Sequence, residues 1–176
     1  MTPKQIDLVQ QTFADIKPIA PAAAELFYSR LFMLDPSLRK MFTGDMGKQG
    51  QMLMSVIGTS VNGLRNLEAL SPVVRHLGSR HVGYGVKDEH YDTVATALIW
   101  TLEKGLGDAF TPAVKQAWIE VYTVLANVMK ESANREVATQ MRVSVSGAGM
   151  KPMSQRMAVS QTMPASSLPM SKRSPV

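Results

Sequence analysis

The chain of 176 residues contains no cysteine, which removes disulfide frameworks, thiolate metal sites, cysteine-ligated iron–sulfur clusters and thiol nucleophiles in one step. Histidine is almost as scarce, with three in all. His76 and His81 lie five residues apart, about 140° around a helix at ~100° per residue, so they cannot clasp one metal together. No apolar run approaches the ~20 residues of a membrane span. Residues 1–20 carry Lys4, Asp7, Asp15 and Lys17 in place of a leader's apolar core. These absences give the expectation of a soluble, cytoplasmic protein without membrane insertion. Also missing are G-x-S-x-G, a P-loop, H-E-x-x-H and a Rossmann glycine fingerprint, which disfavours a conventional hydrolase or nucleotide enzyme.

Acidic residues are absent beyond position 136, where five basic ones occur, while residues 1–136 hold 14 of each sign. The net charge of +5 therefore belongs to the tail. Residues 137–176 are rich in Ser, Pro and Met without a sustained period, a composition that cannot bury enough surface to offset its ordering entropy. The expected organisation is one domain over 1–136 and a disordered basic tail over 137–176. A tail of this charge is read as a solvated appendage rather than a nucleic-acid or membrane-binding segment.

What remains reads as helix after helix. Thr2-Pro3-Lys4-Gln5 has the form of a capping box with proline at the first helical position, followed by Ile6, Val9, Phe13 and Ile16 at spacings of three and four. A second face, Ala23, Phe27, Leu31 and Leu34, runs to Asp35-Pro36, and a short turn follows through Phe42. Met46, Gln49, Leu53, Val56, Ile57 and Ser60 share one side of a third helix that loosens at Asn62-Gly63. Ser71-Pro72 is expected to open a fourth, with Val74, Leu77 and His81 in line. Asp88 is expected to cap a fifth, with Tyr91, Val94, Leu98 and Leu102, and Thr111-Pro112 a sixth, with Val114, Trp118, Val121, Leu125 and Val128. No alternating strand pattern competes, so the fold class is all-α.

The stretch LGSRHVGYGV places His81 where helical periodicity breaks into Gly83 and Gly85. A histidine there is favoured by the helix macrodipole, and the glycines are ordinary stop signals. Around it stand Tyr28 in LFYSRLF, Asp35-Pro36, Phe42 in LRKMF, Gln49 with Leu53 one turn on, and Tyr91 ten residues after the histidine. In this order and spacing the chain resembles the globin family, specifically the bacterial single-domain haemoglobins and the haem domain of flavohaemoglobins. The resemblance covers roughly residues 3–132.

That resemblance implies a globin fold with haem b in a crevice between the third and fourth helices. His81 is then the proximal ligand, Phe42 packs on the porphyrin, and Leu53 and Val56 roof the distal side. Leu77, Val86 and Tyr91 complete the cofactor-binding set, with the Leu77 carbonyl holding the imidazole N–H. Tyr28 and Gln49, polar residues on otherwise apolar faces, are the implied distal donors to a bound gas, since each needs a partner when buried. Without a histidine between Tyr28 and Leu70, the implied ferrous haem is five-coordinate and open to O₂, CO or NO.

One departure stands out. The family's glutamate on the last helix, which makes the proximal imidazole more electron-donating, falls at Ala133, and Glu131 lies on another face. The residues after 136 are also too few for a flavin and nicotinamide reductase domain. Reversible O₂ binding, as monomer or homodimer, is accordingly the expected primary role. Nitric oxide dioxygenation with a separate reductase and haem-based gas sensing are the alternatives.

Overall fold

A computed structural model describes residues 1–147, with side chains to residue 144, and shows six α-helices and no strand among them. Helix α1 spans Pro3–Ile16, α2 Ala20–Leu34, α3 Met46–Gly63, α4 Leu67–Gly83, α5 Asp88–Leu106 and α6 Pro112–Gly147. Short 3-10 turns, Lys17–Ile19, Pro36–Met41 and Gly107–Ala109, make three of the links.

The Thr2 box forms as its sequence predicts: the Thr2 hydroxyl accepts from the Gln5 N–H while the Gln5 amide oxygen accepts from the Thr2 N–H. Its helix then buries Val9, Thr12, Phe13 and Ile16. These pack with Val61, Leu64, Leu102, Val114, Ala117, Trp118 and Val121 into one core, each large aliphatic side chain contributing about 1.5–3 kcal/mol. Trp118 is 2% exposed, and its indole N–H is satisfied by the Thr12 hydroxyl at 3.0 Å. A second cluster, Phe27, Tyr28, Leu31, Leu38 and Ala97, joins α2, the turn after it and α5.

Three boundaries differ from the sequence expectation. Helix α4 begins at Leu67, not at Ser71-Pro72: the Asn66 side chain accepts from the Ala69 N–H and starts the helix five residues earlier, leaving Pro72 inside it. Burial of Leu70 against Gly63 secures this early turn. Asp88 is the first residue of α5 rather than its cap. The Lys87 N–H is instead taken by Nδ1 of His90 at 3.0 Å.

The third difference concerns the tail. Residues 137–147 continue α6 instead of forming the start of a disordered segment. Val137, Met141 and Val143 stay exposed, so packing does not hold this extension. Helix propagation from an already ordered stem costs little, and Ala, Gln, Met and Arg in this stretch suit it. The rest of the expected tail, from 148 on, lies outside the described residues.

Helix α4 ends in a Schellman turn. The Val86 N–H bonds back to the His81 carbonyl at 3.1 Å and the Gly85 N–H to that of Val82 at 3.0 Å. Gly85 has φ of 73°, a left-handed conformation that costs a residue with a Cβ free energy and glycine almost none. The turn folds Val86 back toward the same interior that His81 faces.

Candidate functional site

Between α2, the Pro36–Met41 turn, α3, α4, α5 and α6 lies a cavity of about 220 Å³. Its walls are overwhelmingly apolar. Six of the residues singled out in the sequence, Phe42, Leu53, Val56, Leu77, Val86 and Tyr91, line it together with His81. Helix α3 sends Leu53, Val56 and Ile57 inward at helical spacing, and α4 sends Val74, Leu77 and His81 from the other side.

His81 is fixed by its own helix. Nδ1 lies 2.6 Å from the carbonyl oxygen of Leu77, one turn earlier. A carbonyl only accepts, so Nδ1 carries the hydrogen and the neutral ring keeps its lone pair on Nε2. The ring stacks on Tyr91, centroids 6.1 Å apart at 25°. Tyr91 is held in turn by its backbone, whose carbonyl accepts from the Tyr122 hydroxyl at 2.6 Å. The Tyr91 hydroxyl is buried and has no partner among the described residues, a situation that costs about 1–3 kcal/mol. Ala133, on α6, brings no polar group. Burial pushes the ionisation of Tyr28, Tyr91 and Tyr122 upward from the ordinary phenol value, with the charges of Asp88 and Asp92 adding to it at Tyr91 and Tyr122 respectively.

Close contact of α4 with α6 sets the depth of this side. A Cβ on Gly78 would sit 2.4 Å from the Met129 carbonyl oxygen, so only glycine lets the two backbones meet there. Ser132 latches the seam by donating to the Arg75 carbonyl at 2.8 Å, with the Ser79 hydroxyl 3.1 Å away.

Tyr28 and Gln49 are placed differently from the other sequence-derived residues. Neither lines this cavity. The Tyr28 hydroxyl donates to the backbone carbonyl of Gln49 over a long 3.4 Å, and its ring is wedged edge-on against Phe27 and Phe42, with centroids 5.1 and 5.2 Å away. Tyr28 faces a second cleft with Phe32, Arg39, Met46 and Met54. The Gln49 amide nitrogen lies 3.7 Å from where a Gly44 Cβ would be, out toward the loop before α3. The helices bring the two residues together, but through a backbone oxygen.

Sequence reasoning passed over several wall residues. Met41 adjoins Phe42, Met129 lies one turn beyond Leu125, and His90 precedes Tyr91. The signal for the methionine on α6 was its spacing. For His90 it was the third position of a helix, where a side chain that accepts from the residue before the helix closes a cap.

A family model described as Globin matches residues 25–129. Among curated proteins, a flavohemoprotein of Xylella fastidiosa (strain 9a5c) is 32% identical over 133 residues, covering 74% of this chain and 33% of its own length. A flavohemoprotein of Halalkalibacterium halodurans is 34% identical over 131 residues, 69% of this chain and 32% of its own. The chain thus spans about a third of the length of these relatives. Among solved structures, a bacterial globin from Campylobacter jejuni superposes with a TM-score of 0.68 at 24% identity, over 76% of this chain and 97% of the other. An engineered carbene transferase, described as a putative nitric oxide dioxygenase from Rhodothermus marinus, gives 0.70 at 23%, over 82% and 99%. At these identities the structural likenesses speak for the fold alone.

Proposed function

The chain belongs to the globin family, and we propose that it holds haem b in the central cavity and binds diatomic gases there. One observation carries this reading: the imidazole of His81 on the wall of an apolar cavity, its Nδ1 tied to the Leu77 carbonyl and its Nε2 lone pair left to ligate a metal. This donor set fits haem. Phe42, Leu53, Val56, Val86 and Tyr91 supply apolar and aromatic surface for a porphyrin, and His81 supplies the axial nitrogen. When bound, the haem iron furnishes the redox-active, gas-binding centre.

The chain's own residues shape what happens there. A backbone carbonyl is a weaker hydrogen-bond acceptor than a carboxylate, so it would push less electron density through the His81 ring onto a bound metal. Leu53, Val56 and Ile57 on α3 present no ligating atom, so that wall of the cavity would be left free for a small molecule beside a bound haem. Tyr28 and Gln49 retain their proposed part as donors to that molecule, and for Tyr28 this requires the hydroxyl to exchange the long bond to Gln49 for the ligand.

Between the roles open to such a pocket, the relatives favour catalysis over transport. The curated relatives are flavohemoproteins, and the two thirds of their length outside the match leave room for a domain that supplies electrons. We therefore place dioxygenation of nitric oxide to nitrate, in which O₂ supplies two oxygen atoms and a reductase one electron, ahead of simple O₂ carriage. The unassisted proximal imidazole is the observation that favours carriage.

The test is spectroscopic and kinetic. The purified protein should show a haem spectrum, five-coordinate after dithionite and shifted by CO, and His81→Ala should abolish pigment retention. A six-coordinate, low-spin reduced form would contradict the assignment. Rapid NO consumption with a supplied reductase, set against O₂ dissociation and autoxidation rates, decides between enzyme and carrier.

A further inference from the structure

His90 is only 7% exposed and lines the same cavity as His81, yet nothing in the gas-binding scheme uses it. It is the third residue of α5, beside Tyr91, whose ring stacks on His81. Its Nδ1 accepts the Lys87 N–H at 3.0 Å. That bond fixes the ring's chemistry: Nδ1 must keep its lone pair, so the proton resides on Nε2. His90 therefore offers the cavity an N–H and no ligating lone pair, the reverse of His81, and is no second axial ligand.

The Nε2–H finds no acceptor among the described residues. Asp35 is the acidic neighbour, but its carboxylate accepts from the Ser37 N–H at 2.9 Å and the Ser37 hydroxyl at 2.6 Å and makes no ion pair with His90. The Leu77 and Tyr91 carbonyls are taken by His81 and by Tyr122. Nε2 is not among the fully enclosed side-chain atoms that lack a partner, so open space adjoins it, and an occupant of the cavity that brings an acceptor gains a hydrogen bond there. Of the hydroxyls on the wall, that of Tyr122 is engaged with the Tyr91 carbonyl, that of Tyr91 makes no hydrogen bond to His90 or any other described residue, and Ser60 belongs to α3, away from the α4–α5 turn.

We infer that His90 is a cofactor-binding residue whose Nε2–H donates to a carboxylate at the periphery of the bound porphyrin, anchoring it from the start of α5. This rests on the haem reading. A charge-assisted bond of this kind, partly shielded from water, slows cofactor loss by about ten- to hundredfold.

Substitution at this position separates the cap from the donor. His90→Glu keeps an oxygen to accept the Lys87 N–H but brings a negative charge and no N–H. His90→Gln keeps both an acceptor and a donor. The full chain is loaded with haem b or with its dimethyl ester, which lacks free carboxylates, and dissociation is followed by transfer to a high-affinity haem acceptor. With haem b, His90→Glu should lose pigment about ten- to hundredfold faster than wild type, and His90→Gln within about threefold of it. With the diester, the wild-type to His90→Glu ratio should collapse to about one. Thermal midpoints of the haem-free proteins should match, showing the cap intact. Equal haem b loss from wild type and His90→Glu, or a ratio that survives esterification, overturns the assignment. Should neither pigment bind wild type, the haem reading falls and this contact with it.

Discussion

Nδ1 of His81 and the carbonyl oxygen of Leu77 lie 2.6 Å apart on successive turns of α4, and this single hydrogen bond decides both the tautomer and the orientation of the imidazole. The ring is thus oriented by the helix that carries it. The Tyr91 hydroxyl beside it is buried without a partner among the described residues, a donor that a carboxylate could accept from.

Ala133→Glu should supply that carboxylate from α6. The expected outcome is a more electron-rich imidazole and a reduction potential lower by about 60 mV or more, one tenfold change in a one-electron equilibrium. Spectroelectrochemistry of the haem-loaded protein measures it. An unchanged potential, with the fold intact, would show that residue 133 does not reach the His81–Tyr91 pair.

Tyr28→Phe removes a hydroxyl whose only hydrogen bond among the described residues is the 3.4 Å one to the Gln49 carbonyl. So long a bond contributes little, and stability should change by less than about 1 kcal/mol. If the hydroxyl turns to a bound gas, O₂ dissociation should quicken about tenfold or more. Stopped-flow displacement of O₂ by CO reads this, and an unaltered rate leaves Tyr28 as a wall of the second cleft.

Gly78→Ala and Gly83→Ala form a matched pair on α4. The first places a methyl 2.4 Å from the Met129 carbonyl oxygen, the second meets nothing within 4 Å. Gly78→Ala should destabilise the protein by about 1–3 kcal/mol, lowering Tm by roughly 3–10 °C. Gly83→Ala should be neutral or slightly stabilising, because alanine loses less backbone entropy in a helix. Thermal unfolding followed by circular dichroism distinguishes them.

Alkaline pH should unfold the protein through its buried phenols. Tyr28, Tyr91 and Tyr122 all ionise above their ordinary value of 10.0, chiefly because burial disfavours the phenolate. A folded pKa raised above the unfolded one means that the stability is complete below about pH 10 and is lost as pH rises from there through the higher folded values. Urea midpoints from pH 8 to 12 should therefore fall only in the upper part of this range. Tyr122→Phe should make the fall shallower, while costing about 1 kcal/mol at neutral pH through the lost bond to the Tyr91 carbonyl.

Much of the architecture is local and was legible in order. Helical periodicity, the Thr2 box and the glycines after His81 are short-range signals, set by sterics and backbone hydrogen bonding within one or two turns. They sufficed for six helices and for placing His81 at a helix end. Where a competing local signal existed, the sequence misled: Pro72 is a stronger textual mark than Asn66, and Asp88 a stronger one than His90, yet side-chain geometry chose the weaker marks. Composition likewise spoke for disorder after residue 136, while a stem already folded carried the helix to Gly147.

By itself the sequence determined the helical class, the order of the helices and the residue types from which a metal-binding cavity can be built, because periodicity and caps act along the chain. Only the tertiary structure decided which polar atoms meet. The burial of His90 on the cavity wall, the turn of Tyr28 toward Gln49 and the backbone contact at Gly78 depend on residues tens of positions away, or on which side of a helix the packing leaves for the interior. Hydrogen bonds of this kind are settled by distances of tenths of an ångström, which a linear pattern does not encode.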